Sequence, residues 1–182
     1  FCLSRGLGDV YKRQVFLLDR NGNVIISYPE RVRDYGVNLL AVEPIGRIIA
    51  TGRPVISNIY TIEHLNKRVI FVLVPLKDKN GNFVGAVGGE IDPTNPTLSY
   101  ELGLKDIGKD VFIDIMDANG VVIASSDPMR VLTCCDHDRF FSRIINEKKE
   151  LVTTCHECHE SGKEKTKISN MLVFVPLENA PW

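Results

Sequence analysis

An excess of charge of either sign is the first thing this chain lacks. Its 22 Lys and Arg nearly cancel its 23 Asp and Glu, for a net charge of −1. With no Lys/Arg stripe, there is no electrostatic footprint for nucleic acid. Long apolar runs are lacking too, since none approaches the roughly 18 residues of a membrane span. A catalytic constellation is also missing. Asp and Glu are spread through loops, and no serine or cysteine has a base at a recognisable spacing, so this stretch is not expected to be an enzyme. What remains is 182 residues with a hydrophobic fraction of 44%, enough for one large domain or two small ones.

One stretch does carry chemistry, Cys155-His156-Glu157-Cys158-His159. Covalent haem attachment needs this pattern: two thiols add to the two vinyl groups, and the following imidazole binds the iron from one face. Cys155 and Cys158 would be the thiols and His159 the proximal ligand of a single haem c. Zinc is the alternative. It would need two further ligands, which His137 with Cys134 or Cys135 could supply.

Residues 1–14 are set apart. Leu3 to Gln14 closely resembles the translated sequencing-adapter junction at the ends of metagenomic assemblies, and regular apolar patterning begins only at Val15. We exclude this stretch, Cys2 included, as non-native, and expect the natural protein to continue upstream.

From Val15 the pattern predicts a strand to Asp19, a tight turn at Asn21-Gly22 with both positions at positive φ, and a strand over Val24 to Ser27. A polar loop follows, then a helix near Glu43 to Ala50, with Pro44 in its first turn and Gly52 as its stop. Strands are expected over Val55 to Tyr60, Val69 to Leu76 and Phe83 to Ile91, the last two joined at Asn80-Gly81. Asp92-Pro93-Thr94-Asn95-Pro96 reads as a boundary.

Beyond it the pattern repeats. Asp19-Arg20-Asn21-Gly22-Asn23-Val24-Ile25 is answered by Asp117-Ala118-Asn119-Gly120-Val121-Val122-Ile123, Ser27 by Ser125, and Phe71 to Leu76 by Leu172 to Leu177. Two copies of one α+β module are expected, over residues 15–97 and 98–182. Taking Asn58 and Thr154 as equivalent, the second copy is five residues longer before Met171 than the first is before Ile70. The attachment motif therefore looks grafted into a strand-connecting loop. The second copy also shows no equivalent of Phe83 to Ile91, so truncation before its last strand is expected.

The tandem pattern, with its Asp-x-x-Gly hairpins, Gly52-Arg53-Pro54-Val55-Ile56-Ser57, Val74-Pro75-Leu76 and Gly81-Asn82-Phe83-Val84-Gly85, resembles double Cache domains. These are PAS-like extracytoplasmic sensors of bacterial histidine kinases and chemoreceptors. The second half, with Cys134 to Phe141, Cys155 to Glu160 and Ala180-Pro181-Trp182, resembles their haem-c-bearing variants. The resemblance implies tandem antiparallel sheets with short helices, and a periplasmic or extracellular domain of a membrane-anchored receptor of a two-component or chemotaxis system. The implied partners are a diatomic gas or a redox partner. Homodimerisation stays open, as does an electron-transfer cytochrome.

The sixth iron ligand is also open. His137 precedes a helix expected over Asp138 to Lys148, whose Phe140, Phe141, Ile144 and Ile145 form one apolar face. That face either lies against a porphyrin or is simply core. Met129 is the weaker candidate. Arg139 and Arg143, with Lys163 and Lys165, either pair with haem propionates or form a solvated face. Adjacent Cys134 and Cys135 read as one buried thiol and one near the haem edge, or as a strained, redox-active pair. In the first module Tyr28, Arg31, Arg33, Tyr35, Asn58 and Tyr60 lie near loops where a small-molecule ligand could bind, though a supporting role is favoured.

Overall fold

The structure, a computed structural model, describes residues 12–30, 35–63, 66–104, 111–134, 139–155, 170–178 and 180–182. The first half is a five-stranded antiparallel sheet. Its strands are β1 (Lys12–Asp19), β2 (Val24–Tyr28), β3 (Val55–Ile62), β4 (Lys67–Lys77) and β5 (Phe83–Ile91), in the order β2-β1-β5-β4-β3. Helix α1 (Glu43–Thr51) lies against one face. The second half holds α2 (Pro96–Glu101), the hairpin β6 (Asp114–Met116) and β7 (Val122–Ser125), α3 (Phe140–Glu147), and the hairpin β8 (Leu151–Cys155) and β9 (Asn170–Phe174). The expected α+β class with antiparallel sheets and short helices is what forms.

Alternation in the strands decides where the core sits. Phe16 and Leu18 of β1, Phe71 and Leu73 of β4 and Ala86 of β5 share the face beneath α1, where Ile45 and Ile48 of the helix complete the cluster. Each of those two isoleucines is fully buried, worth about 2–3 kcal/mol. Helix α1 carries Pro44 in its first turn, and Gly52 stops it at φ 58° with its N–H on Ile48 O, as the sequence predicts.

Two expectations need correction. Strand β1 begins at Lys12, not Val15, because β5 runs long enough to pair Lys12 with Ile91 and Gln14 with Glu90. The turns are not two-residue turns with both positions at positive φ. In each, only the glycine is left-handed (Gly22 85°, Gly81 83°, Gly120 76°). Instead the aspartate that opens the turn caps it: Asp19 Oδ1 accepts from Asn21 N–H and Asn23 N–H, and Asp78 Oδ1 accepts from Asn80 N–H and Asn82 N–H. That side-chain capping favours a longer turn closed by one left-handed glycine. In both turns Oδ2 accepts from the Nδ2 of the next asparagine, Asn23 or Asn82.

The two halves repeat each other in backbone detail. In the first, Val24 N–H donates to Val37 O and Gly36 N–H to Val24 O; in the second, Val122 N–H donates to Thr133 O and Leu132 N–H to Val122 O. Gly36 at φ 74° thus corresponds to Leu132 at φ 66°. The halves differ at the sheet centre. Strand β5 pairs with both β1 and β4 and joins the two hairpins of the first half into one sheet. Among the described residues of the second half no strand joins the β6–β7 hairpin to the β8–β9 hairpin.

Two predictions follow from the first sheet. A methyl group at Gly88 would run into the Phe16 ring, so Gly88→Ala should cost about 1–3 kcal/mol by overpacking, measured by urea unfolding. The Asp19 and Asp78 carboxyls are held below their ordinary 3.8, first by the hydrogen bonds from the Asn23 and Asn82 side chains. A depressed carboxylate contributes stability above its unfolded value and loses it as pH falls through the lower folded value. NMR titration should therefore give both carboxyls midpoints below 3.8, with the amides of Asn21, Asn23, Asn80 and Asn82 shifting in step.

Candidate functional site

The Cys-x-x-Cys-His run begins where a ladder ends. Strands β8 and β9 pair from Leu151↔Phe174 to Cys155↔Asn170, and the stretch between them carries the rest of the motif. The pairing also corrects the alignment of the repeat. A bulge between Ile56 and Ile59 makes Ile59, not Asn58, the partner of Ile70, while Thr154 pairs with Met171. The second connection is still the longer one, as expected. Cys158, His159, His137, Cys135, His156, His64, Arg31, Arg33, Lys163 and Lys165 lie outside the described residues, as does the Cys155 side chain.

Around the motif, the structure brings some expected residues together. Phe140 and Phe141 of α3 meet Phe174 of β9 at centroid distances of 6.1 and 5.2 Å, and the Arg143 guanidinium lies 5.9 Å from the Phe140 ring centre. This cluster seats α3 on the β8–β9 hairpin. Phe174 pairs with Leu151, four strand positions from Cys155, or about 13 Å along the strand. Arg139 is exposed at the entry to α3, with φ 57°. The helix starts at Phe140 and stops at Glu147, inside its expected span, because both flanking residues are left-handed. Met129 stands apart, 85% exposed in a 3-10 turn. Cys134 is exposed with a free thiol. Among the described residues no group of three or more His, Cys, Asp or Glu is placed to hold a metal, and no helix is long and apolar enough to cross a membrane.

In the first half, Tyr28 and Tyr35 line an open groove of about 350 Å³ with Val15, Leu17, Ile26 and Val87. Tyr35 donates from its hydroxyl to Glu30 Oε1 at 2.9 Å. Tyr60 and Asn58 are not part of it. Tyr60 packs edge-on against Phe71 at 5.7 Å, and Asn58 Oδ1 accepts from Ala118 N–H.

Sequence reasoning missed a second polar cluster, on the core face of the sheet. Gln14 and Glu90 are cross-strand partners there, and Glu90 also faces Phe71. Gln14 is buried although it belongs to the excluded leading stretch. Ser27, opposite Phe16, is buried with its Oγ unpartnered among the described residues. Its counterpart Ser125 faces Asp114 where the first half has Phe16, and donates to Asp114 Oδ1 at 2.6 Å. Arg130 Nε completes that network on Asp114 Oδ2 at 3.0 Å. The alternating pattern that marks a half-buried strand is what could have singled out Gln14 and Ser27, as polar residues at core positions.

No protein-family model matches the chain, and no curated protein matches it. Solved structures do. An extracellular ligand-binding receptor from Desulfohalobium retbaense matches 80% of the chain with TM-score 0.60 and 18% identity. The extracellular domain of rpHK1S-Z16, assigned as a histidine kinase, matches 94% with TM-score 0.66 and 13% identity. The ligand-binding domain of the Pseudomonas aeruginosa amino acid chemoreceptor PctB, solved with L-Gln, matches 93% with TM-score 0.57 and 15% identity. At such identities the likeness is one of fold. The chain spans 26% of the Desulfohalobium receptor, 68% of the rpHK1S-Z16 domain and 63% of the PctB domain.

The two serines make a paired prediction. Ser125→Ala strips a donor from Asp114 and the acceptor of Asp127 N–H, so it should cost about 1–2 kcal/mol. Ser27→Ala removes a buried hydroxyl that has no partner among the described residues and should be neutral or stabilising, by up to about 1 kcal/mol. Urea melts of the two variants check the contrast.

Proposed function

We propose that this chain is the extracytoplasmic sensor portion of a bacterial membrane-anchored receptor, and that its second half carries one covalent haem c as the sensing group. The observation that carries this reading is the position of Cys155: a Cys-x-x-Cys-His run starts at the last residue of β8, in a fold shared with extracellular domains of receptors. Function placed on a loop of a repeated scaffold leaves the sheets undisturbed.

The donor set fits the group. Cys155 and Cys158 would hold it by two thioether bonds and His159 would bind its iron, with His137 as sixth ligand and Arg139 as a propionate partner. Bound there, haem would supply a redox-active iron able to take a diatomic gas. The chain's own contribution is to fix one attachment point at a strand end and to seat α3 on the same hairpin through Phe140, Phe141 and Phe174. Because α3 packs on the hairpin that would hold the group, a change at that hairpin would be felt by the helix. The output domain, a histidine kinase or another, lies elsewhere in the receptor.

A second reading concerns the first half. The polar residues Gln14, Glu90 and Ser27 share a sheet face with the packed rings of Phe16 and Phe71, few polar groups among apolar ones, as in the lining of small-molecule sites. PctB was solved with an amino acid bound, so we extend to this chain a small polar ligand in the first half.

A pyridine haemochrome spectrum on denatured protein, expressed with a cytochrome c maturation system, tests the main reading. The expected result is a c-type spectrum that survives denaturation and disappears in the Cys155→Ser/Cys158→Ser double variant. His159→Ala should change the spectrum of the folded protein through loss of the proximal ligand. Stoichiometric zinc without haem absorbance would replace the reading by a zinc-stabilised module, and haem without any coupled receptor output would favour an electron-transfer cytochrome.

A further inference from the structure

The chain uses one Asp-x-Asn-Gly-x turn three times, and the third copy lacks the asparagine that closes the other two. Asp19-Arg20-Asn21-Gly22-Asn23 and Asp78-Lys79-Asn80-Gly81-Asn82 each end in an asparagine, whose Nδ2 occupies the second oxygen of the opening aspartate. Asp117-Ala118-Asn119-Gly120-Val121 ends in valine. Asp117 Oδ1 still caps its own turn, accepting from Asn119 N–H and Val121 N–H at 2.9 and 3.0 Å. Oδ2 is left over, and it accepts from Ile59 N–H at 3.0 Å, in the other half of the molecule. Asp117 is fully buried.

Ile59 is the residue at which β3 rejoins β4 after its bulge. Two more bonds from the second half reach the same bulge. Ala118 N–H donates to Asn58 Oδ1 at 3.1 Å, and Trp182 Nε1–H donates to Ser57 O at 3.1 Å. Ser57 is itself tied to the first-half core, since its Oγ accepts from Phe71 N–H at 2.8 Å. On the other side Trp182 O accepts from Leu177 N–H, while Lys148, at the C-terminal end of α3, donates to Leu177 O and Ala180 O at 2.7 and 2.8 Å. The path from α3 to the first-half core is therefore continuous in hydrogen bonds.

We propose that the Ser57–Ile59 bulge is a coupling joint, through which the two halves open as one unit and a displacement of α3 is felt in the first-half core. Three bonds converge on three consecutive residues, and the acceptor for Ile59 exists because the third turn gave up its asparagine. The joint requires no bound group, so it stands or falls separately from the haem reading.

Native-state hydrogen exchange on the 182-residue chain, with denaturant unfolding followed by Trp182 fluorescence and by exchange in β1–β5, tests this. Asp117→Asn keeps the capping oxygen but faces Ile59 N–H with a donor. Asp78→Asn makes the same chemical change in a turn whose carboxylate bonds, among the described residues, stay within the turn. Exchange at the Ile59 amide should rise about tenfold or more in D117N and stay unchanged in D78N, and the single unfolding transition of the parent should split in two only in D117N. Should D117N fail to fold, the Asn58→Ala/Trp182→Phe pair removes the other two bonds and should give the same split, read in that tryptophan-free variant by exchange in β6–β9 against exchange in β1–β5. Lys148→Ala, which removes two bonds to second-half carbonyls, should also raise Ile59 exchange. Equal behaviour of D117N and D78N, separate unfolding of the halves in the parent, or an unmoved Ile59 in K148A would overturn the joint.

Discussion

A bulge in an edge strand creates a problem that the rest of this molecule is arranged to solve. Between Ile56 and Ile59 the β3 ladder shifts register, and backbone groups that a regular strand would satisfy are left without cross-strand partners. A buried donor or acceptor left unsatisfied costs about 1–3 kcal/mol. Three bonds form at this bulge: Ser57 Oγ serves Phe71 N–H, the Asp117 carboxylate serves Ile59 N–H, and the Trp182 indole serves Ser57 O. Two of these three partners come from the second half. Satisfying the bulge and holding the halves together are therefore the same act.

The halves put one scaffold to two uses. In the first, β5 stitches both hairpins into a continuous sheet whose core face is apolar beneath α1 and polar toward Gln14 and Glu90. In the second, the position opposite the paired serine holds Asp114 in place of Phe16. A half-buried carboxylate with Ser125 and Arg130 on it replaces an aromatic ring. The longer connection after β8 then carries the Cys-x-x-Cys-His run. Loops tolerate such insertions because their backbone need not stay in a ladder, so new chemistry can be added at a strand end without disturbing the sheets.

Much of the fold was legible along the chain. Strands β2 to β5, helix α1 with Pro44 and Gly52 at its ends, and the repeat marked by Asp19 and Asp117 all follow from local pattern. The turn geometry was less accessible, since Asn-Gly favours a two-residue turn until a preceding aspartate is positioned to cap it. The start of β1 was misread for a related reason: whether Lys12 to Gln14 form strand depends on the length of β5, some seventy residues later. The bulge was invisible too, and with it the true equivalence of Ile59 and Thr154. Of the expected site residues, Phe140, Phe141 and Arg143 come together with Phe174, whereas Met129 faces solvent.

The sequence by itself determined the elements, their repetition and the presence of a Cys-x-x-Cys-His run, because periodicity, capping residues and short motifs act over a few residues of chain. Only the tertiary structure decided what the spare oxygen of Asp117 does, why Gln14 is buried, and where Trp182 goes. Those outcomes depend on which backbone groups distant parts of the chain leave unpaired. Val121 in place of asparagine is a local change, but its consequence is a bond to Ile59 that exists only once both halves have folded against each other.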